Sequence, residues 1–158
     1  MFLEGHRAPN FSLQGSDGKV HTLKDYADKI LVLFFYPRDN TPGCTAEAVG
    51  FSKLQPLFEQ LGAVLVGVSK DSMKSHDKFI ADFKIPFTLL SDPTAAVMTA
   101  YGAYGEKDQY GKTVVGSIRS TVVIAPDGTV IKHWPKIPKA SEHPDKVLDF
   151  FKMLAKGR

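Results

Sequence analysis

Cysteine is nearly absent from this chain: Cys44 is the only one in 158 residues. A single thiol excludes an intramolecular disulfide framework, a CxxC redox pair and any zinc site built from several cysteines. Long hydrophobic runs are missing too. No window approaches the roughly 20 apolar residues of a membrane span. The opening residues, MFLEGHRAP, hold no apolar stretch that resembles a signal peptide. The expectation is a soluble protein of the reducing cytoplasm, with no membrane partner. Charge of one sign is also scarce, with 20 Lys and Arg against 17 Asp and Glu, a formal net charge of +3. Lys24, Lys29, Lys70, Lys112 and Lys132 are scattered along the chain. Without a basic stripe carrying interleaved aromatics, a nucleic-acid partner is not expected. His6, His21, His76, His133 and His143 fall at no HxH or HExxH spacing. Neither a GxGxxG nor a Walker motif occurs, so no metal and no cofactor are expected.

What is present reads as one globular domain over residues 1–158, with 43% hydrophobic and 23% charged residues and no repeat or long linker. Residues 11–13 and 20–23 flank a Gly15-to-Gly18 turn and read as a hairpin. Residues 30–36 (ILVLFFY) form a continuous apolar run suited to a strand covered on both faces. A helix should follow from Thr41 as hydroxyl N-cap and Pro42 at the first helical position. Phe51, Leu54, Phe58 and Leu61 keep helical spacing, but Pro56 predicts a kink or break between Gly50 and Gln55. Residues 64–69 read as a strand, 72–83 as a helix, 87–90 as a short strand and 95–101 as a short helix. Residues 102–116 read as a loop. Residues 120–124 and 129–134 read as a second hairpin about Pro126-Asp127-Gly128, and 144–155 as a C-terminal helix. Strands alternating with helices, then an antiparallel pair, predict an α/β fold with a central mixed β-sheet flanked by helices.

Cys44 falls just after a buried strand, in the opening turn of a helix. Unpaired N–H groups and the positive end of the helix dipole favour an anion there. The thiolate, not the thiol, is the nucleophile. A buried inert cysteine is the ordinary alternative, yet the tight Pro42-Gly43 backbone before the sulfur serves no packing need. Thr41, three positions earlier, can turn its hydroxyl toward the same place.

The segment FYPRDNTPGCTAEAVGF (residues 35–51) resembles the active-site stretch of the peroxiredoxins, most closely the bacterioferritin comigratory protein (peroxiredoxin Q) subfamily. Pro37, Thr41 and Cys44 meet its P-x-x-x-T-x-x-C pattern. Residues 5–13 (GHRAPNFSL), 64–71 (VLVGVSKD), 87–92 (FTLLSD) and 118–128 (IRSTVVIAPDG) follow in the family's order. The resemblance implies a thioredoxin-like fold with an N-terminal hairpin extension. It also implies a thiol-dependent peroxidase with Cys44 as the peroxidatic cysteine, Thr41 on the bound peroxide and Arg119 as the catalytic arginine. Pro37 and Pro42 would shield the pocket, the Gly43 and Cys44 N–H groups would stabilise developing charge, and Glu47 would position Arg119. Partners implied are a hydroperoxide substrate and a reducing thiol, in a monomer or dimer.

Many members of that subfamily carry a resolving cysteine five residues after the first, where this chain has Val49. With no second thiol the expectation is a one-cysteine cycle, recycled by thioredoxin or by glutathione with glutaredoxin. Three other readings compete. A thiol transferase would want CxxC or CxxS, which Cys44-Thr45-Ala46-Glu47 lacks; a metal enzyme lacks its motif. A redox sensor or chaperone-like thiol protein on the same scaffold would leave peroxide untouched.

Overall fold

The computed structural model describes residues 3–157. The apolar run at residues 30–36 becomes strand β3 (Ile30–Phe35) in the interior of a seven-stranded mixed sheet. Its alternate side chains serve two cores. Leu31, Leu33 and Phe35 join one cluster, while Val32, Phe34 and Tyr36 join the other. That division explains why the run shows no polar alternation: a strand buried on both faces has no solvent side.

The N-terminal hairpin is β1 (Ser12–Gly15) and β2 (Val20–Thr22), followed by a single 3-10 turn over Leu23–Tyr26. After β3 come α1 (Pro42–Gln60), β4 (Ala63–Ser69), α2 (Met73–Phe83), β5 (Thr88–Ser91) and α3 (Ala96–Ala100). Then follow β6 (Tyr104–Gln109), β7 (Lys112–Ser117), β8 (Ser120–Ile124), β9 (Val130–Trp134) and α4 (His143–Lys156). The large sheet runs β2-β1-β5-β4-β3-β8-β9. Strands β3, β4 and β5 are parallel, and β8 returns antiparallel beside β3. Buried residues of α1, α2 and α4 fill one face, and those of α3 and the N-terminal segment fill the other. This is the expected central mixed sheet flanked by helices.

Two expectations are corrected. Residues 102–116 are no loop: β6 and β7 pair antiparallel as a separate two-stranded sheet. Tyr110 (φ 53°) and Gly111 (φ 78°) turn between them, and two successive positive φ values match the twist of a tight hairpin. Strand β6 is polar, and the two valines of β7, Val114 and Val115, are adjacent and not buried, so no apolar alternation betrays the pair. Nor does Pro56 break α1, which runs as one 19-residue helix. Phe51 and Phe58, on either side of the proline, are both 0% exposed in the same core cluster. Pro56 itself is exposed, so the carbonyl it leaves without an N–H partner lies on the solvent side.

Candidate active site

The site forms where the β3–α1 loop meets the start of β8. Phe35 pairs with Ser120 across the antiparallel register. Arg119, one residue before Ser120, is thereby carried to the end of the sheet where the loop at residues 37–41 begins α1. Pro42 opens that helix at its first position. The ladder of α1 starts with the Thr45 N–H donating to the Thr41 carbonyl at 2.8 Å. The N–H groups of Gly43 and Cys44 precede it, as the orphan donors of any helix start do.

Cys44 is 2% exposed. One guanidinium nitrogen of Arg119, Nη2, donates to Cys44 Sγ at 3.3 Å, and Nη1 donates to Glu47 Oε1 at 2.7 Å. Cys44 and Glu47 are three positions apart on α1, so one helix face presents both groups to a single guanidinium. Burial tends to discharge Arg119, but Glu47 and Cys44 outweigh it and hold its charge more firmly than usual. Glu47 is 0% exposed, and its Oε2 has no partner among the described residues. Burial pushes its carboxyl up to about 7, against the pull of Arg119.

Gly43 has a visible reason for its missing side chain. A Cβ there would stand 3.1 Å from Arg119 Nη2. Pro42 and Gly43 are exposed at the helix start and Pro37 is half-buried. Pro37 and Arg119 share the wall of a groove of about 560 Å³, bounded by the β6–β7 hairpin and the β9–α4 connection, with Lys107, Lys136 and Ile137 among its lining. A cavity of about 300 Å³ at Arg7, Tyr26 and Asp127 lies at the other end of the strands.

Thr41 corrects another expectation. It occupies the N-cap position, but its hydroxyl makes no capping bond and donates to the Arg38 carbonyl at 2.8 Å. The hydroxyl proton is thus committed within the loop, while the oxygen retains lone pairs to accept from a ligand. Val49 is half-buried on unbroken helix.

The sequence from residue 5 to 133 matches the AhpC/TSA family. It is 45% identical over 141 residues to Peroxiredoxin Bcp of Xanthomonas campestris, covering 89% of this chain and 88% of the relative. The chain is a peroxiredoxin of the AhpC/TSA family. As such it is a thiol-dependent peroxidase. Among solved structures, this peroxiredoxin is similar to the Xanthomonas campestris bacterioferritin comigratory protein, with a TM-score of 0.85, 43% identity and 92% of each chain covered. It is similar also to a cysteine-to-serine variant of Xylella fastidiosa PrxQ, with a TM-score of 0.90, 38% identity and 98% of each chain covered. The Xanthomonas peroxiredoxin Q has been solved with serine at either of two different cysteines, whereas this peroxiredoxin has Cys44 alone.

Sequence reasoning singled out Cys44, Thr41, Pro37, Pro42, Gly43, Glu47 and Arg119, and they lie on one loop, one helix start and one strand start. It missed the buried cluster behind the loop, where Asp39, Asp71 and His76 bring polar atoms within 4.8 Å of one another. His76 sits three positions before buried Phe79 on α2, the sole pattern in the sequence that hints at its burial.

Proposed function

We propose that Cys44 is the peroxidatic nucleophile and that this chain runs a one-cysteine cycle completed by an external thiol. The observation that carries the reading is the Arg119 bridge, with one nitrogen on Cys44 Sγ and the other on Glu47. A rigid, permanently charged fork can hold a thiolate and meet an oxygen that gains charge beside it.

The Cys44 thiolate attacks one oxygen of a hydroperoxide in line with the oxygen–oxygen bond. A sulfur–oxygen bond forms, the oxygen–oxygen bond breaks, and its electrons leave on an alkoxide or hydroxide. That leaving oxygen takes a proton and departs as alcohol or water, and Cys44 becomes a sulfenic acid. Arg119 and the Gly43 and Cys44 N–H groups face the growing charge, the Thr41 oxygen accepts from the peroxide hydroxyl, and Glu47 steadies Arg119. Pro37 and Pro42 limit water at the mouth. An external thiol then attacks the sulfenic sulfur and releases water. A second thiol displaces the resulting mixed disulfide and restores Cys44. The reductants of fitting chemistry are thioredoxin, or glutathione with glutaredoxin. That requirement favours the cytoplasm, where such thiols stay reduced.

The X. campestris protein is described for its alkyl peroxide reduction activity, which supports organic hydroperoxides as well as hydrogen peroxide for this chain. Stopped-flow reaction of the reduced protein with both peroxides, followed by thioredoxin or glutathione, tests the reading. Cys44→Ser should remain folded and consume no peroxide; turnover by that variant would sink the assignment.

A further inference from the structure

The loop that leads to Cys44 is anchored from behind by a buried ion pair. Asp39 is 6% exposed and His76 0%. Asp39 Oδ2 lies 2.7 Å from His76 Nδ1, and it also accepts from the Ser75 hydroxyl at 2.8 Å. Asp39 Oδ1 accepts from the Tyr36 hydroxyl at 2.6 Å, and the Asp39 N–H donates to Asp71 Oδ2 at 2.8 Å. The second ring nitrogen of His76, Nε2, is 2.8 Å from the Leu90 carbonyl oxygen. A carbonyl oxygen can only accept, and a carboxylate already receiving two hydroxyls is an acceptor as well. Both ring nitrogens must then carry protons, which makes His76 an imidazolium.

We propose that the Asp39–His76 pair is the positioning unit of the peroxide site, fixing the loop so that the Arg38 carbonyl holds the Thr41 hydroxyl where its oxygen can accept from the peroxide. This rests on the reading of Cys44 and Thr41 given above. The link is short: Asp39 follows Arg38, whose carbonyl accepts the Thr41 hydroxyl. Neither residue of the pair touches the thiol, so they act through the loop.

The groups facing His76 are Asp39 from the loop, Asp71 from the β4–α2 connection and the Leu90 carbonyl from β5. Burial pulls the imidazole toward neutrality. The hydrogen bond and charge of Asp39, with Leu90 and Asp71, outweigh it and lift His76 above its ordinary value. Although Asp39, Asp71 and His76 could be read as a metal cluster, Asp71 Oδ2 already accepts from the Ser69 hydroxyl and the Asp39 N–H. The same atoms are better described as a proton-filled network.

The first test uses the intact reduced protein labelled with nitrogen-15 at histidine. One histidine should show both ring nitrogens protonated at neutral pH, and its signal should vanish in His76→Asn. A bare ring nitrogen at His76 would overturn the proposal. Peroxide and iodoacetamide rates are then compared in His76→Asn and Asp39→Asn. The peroxide rate should fall at least about tenfold, as expected when a reacting geometry is loosened, while alkylation of Cys44 does not fall. An unchanged peroxide rate, or equal loss in both reactions, overturns the positioning role. Where a variant does not fold, the wild type decides. Its peroxide rate, unlike its alkylation rate, should drop at the pH where His76 loses its proton by nuclear magnetic resonance, and a flat rate through that point overturns the role. Turnover by Cys44→Ser would instead refute the site reading itself, which separates the two failures.

Discussion

A methyl group added to Gly43 would stand 3.1 Å from Arg119 Nη2, the same nitrogen that donates to Cys44 Sγ at 3.3 Å. The obstacle is the far end of a flexible side chain, so it can give way by a few tenths of an ångström, which loosens its hold on the sulfur. Alanine is also favoured over glycine within a helix by up to about 1 kcal/mol. Gly43→Ala should therefore keep or raise the melting temperature while slowing peroxide reaction by about tenfold, less than the roughly 10²–10³-fold that losing such a donor outright costs. Thermal melts and stopped-flow rates on the same sample check this; an undiminished rate would show that the close approach is unimportant.

Arg119 itself should matter more. Arg119→Ala removes the charge that favours thiolate over thiol and the donor that faces the developing oxyanion. The peroxide rate should fall by roughly 10²–10³-fold. Arg119→Lys returns the charge without the fork, so it should recover only part of that rate. Stopped-flow rates of both variants check this, and an unchanged rate in Arg119→Ala contradicts the role.

Much of this site was legible because its parts are local. Thr41, Pro42, Gly43 and Cys44 are neighbours in sequence, and β3 announces itself as an apolar run with both faces buried. Arg119 is distant, and the family pattern named it before the Phe35-to-Ser120 register explained it. The hairpin β6–β7 was not legible, since its strands bury little and leave Tyr110 96% exposed. Only the Tyr110-Gly111 turn marked it. Pro56 argued for a kink or break, yet α1 runs unbroken through it, with Phe51 and Phe58 packed in one core on either side. The Asp39–His76 pair joins residues 37 positions apart, and neither spacing nor composition relates them.

Glu47 carries a testable pH signature. Its carboxyl rises from an ordinary 4.5 to about 7 because burial outweighs Arg119. A carboxyl raised on folding binds its proton more tightly in the native state. Its contribution to stability is therefore lost as pH rises from about 4.5 to about 7, on the order of 3 kcal/mol. Glu47→Gln keeps the shape but cannot ionise. Relative to this variant, the wild type should lose stability between those pH values in urea unfolding, and a constant difference would rule out the shift.

His143 works in the opposite sense. It is 2% exposed, packed edge-on against Trp134 and Phe51, with Nε2 at 2.8 Å from Thr121 Oγ1. Burial first, then the charges of Arg119 and Lys146, push it down from 6.5 to about 4. The unfolded chain takes up a proton that the native site refuses, so stability is lost as pH falls from about 6.5 to about 4, again by roughly 3 kcal/mol. Between about pH 4.5 and 6.5 the two contributions nearly cancel. His143→Gln, which preserves a polar partner for Thr121, should expose the Glu47 slope and lose stability as pH rises. Glu47→Gln should expose the His143 slope and gain it. Urea midpoints for the wild type and both variants, taken at about pH 5 and about pH 7, distinguish the cases. If both variants tilt the same way, the buried histidine and the buried carboxyl do not oppose one another at this site.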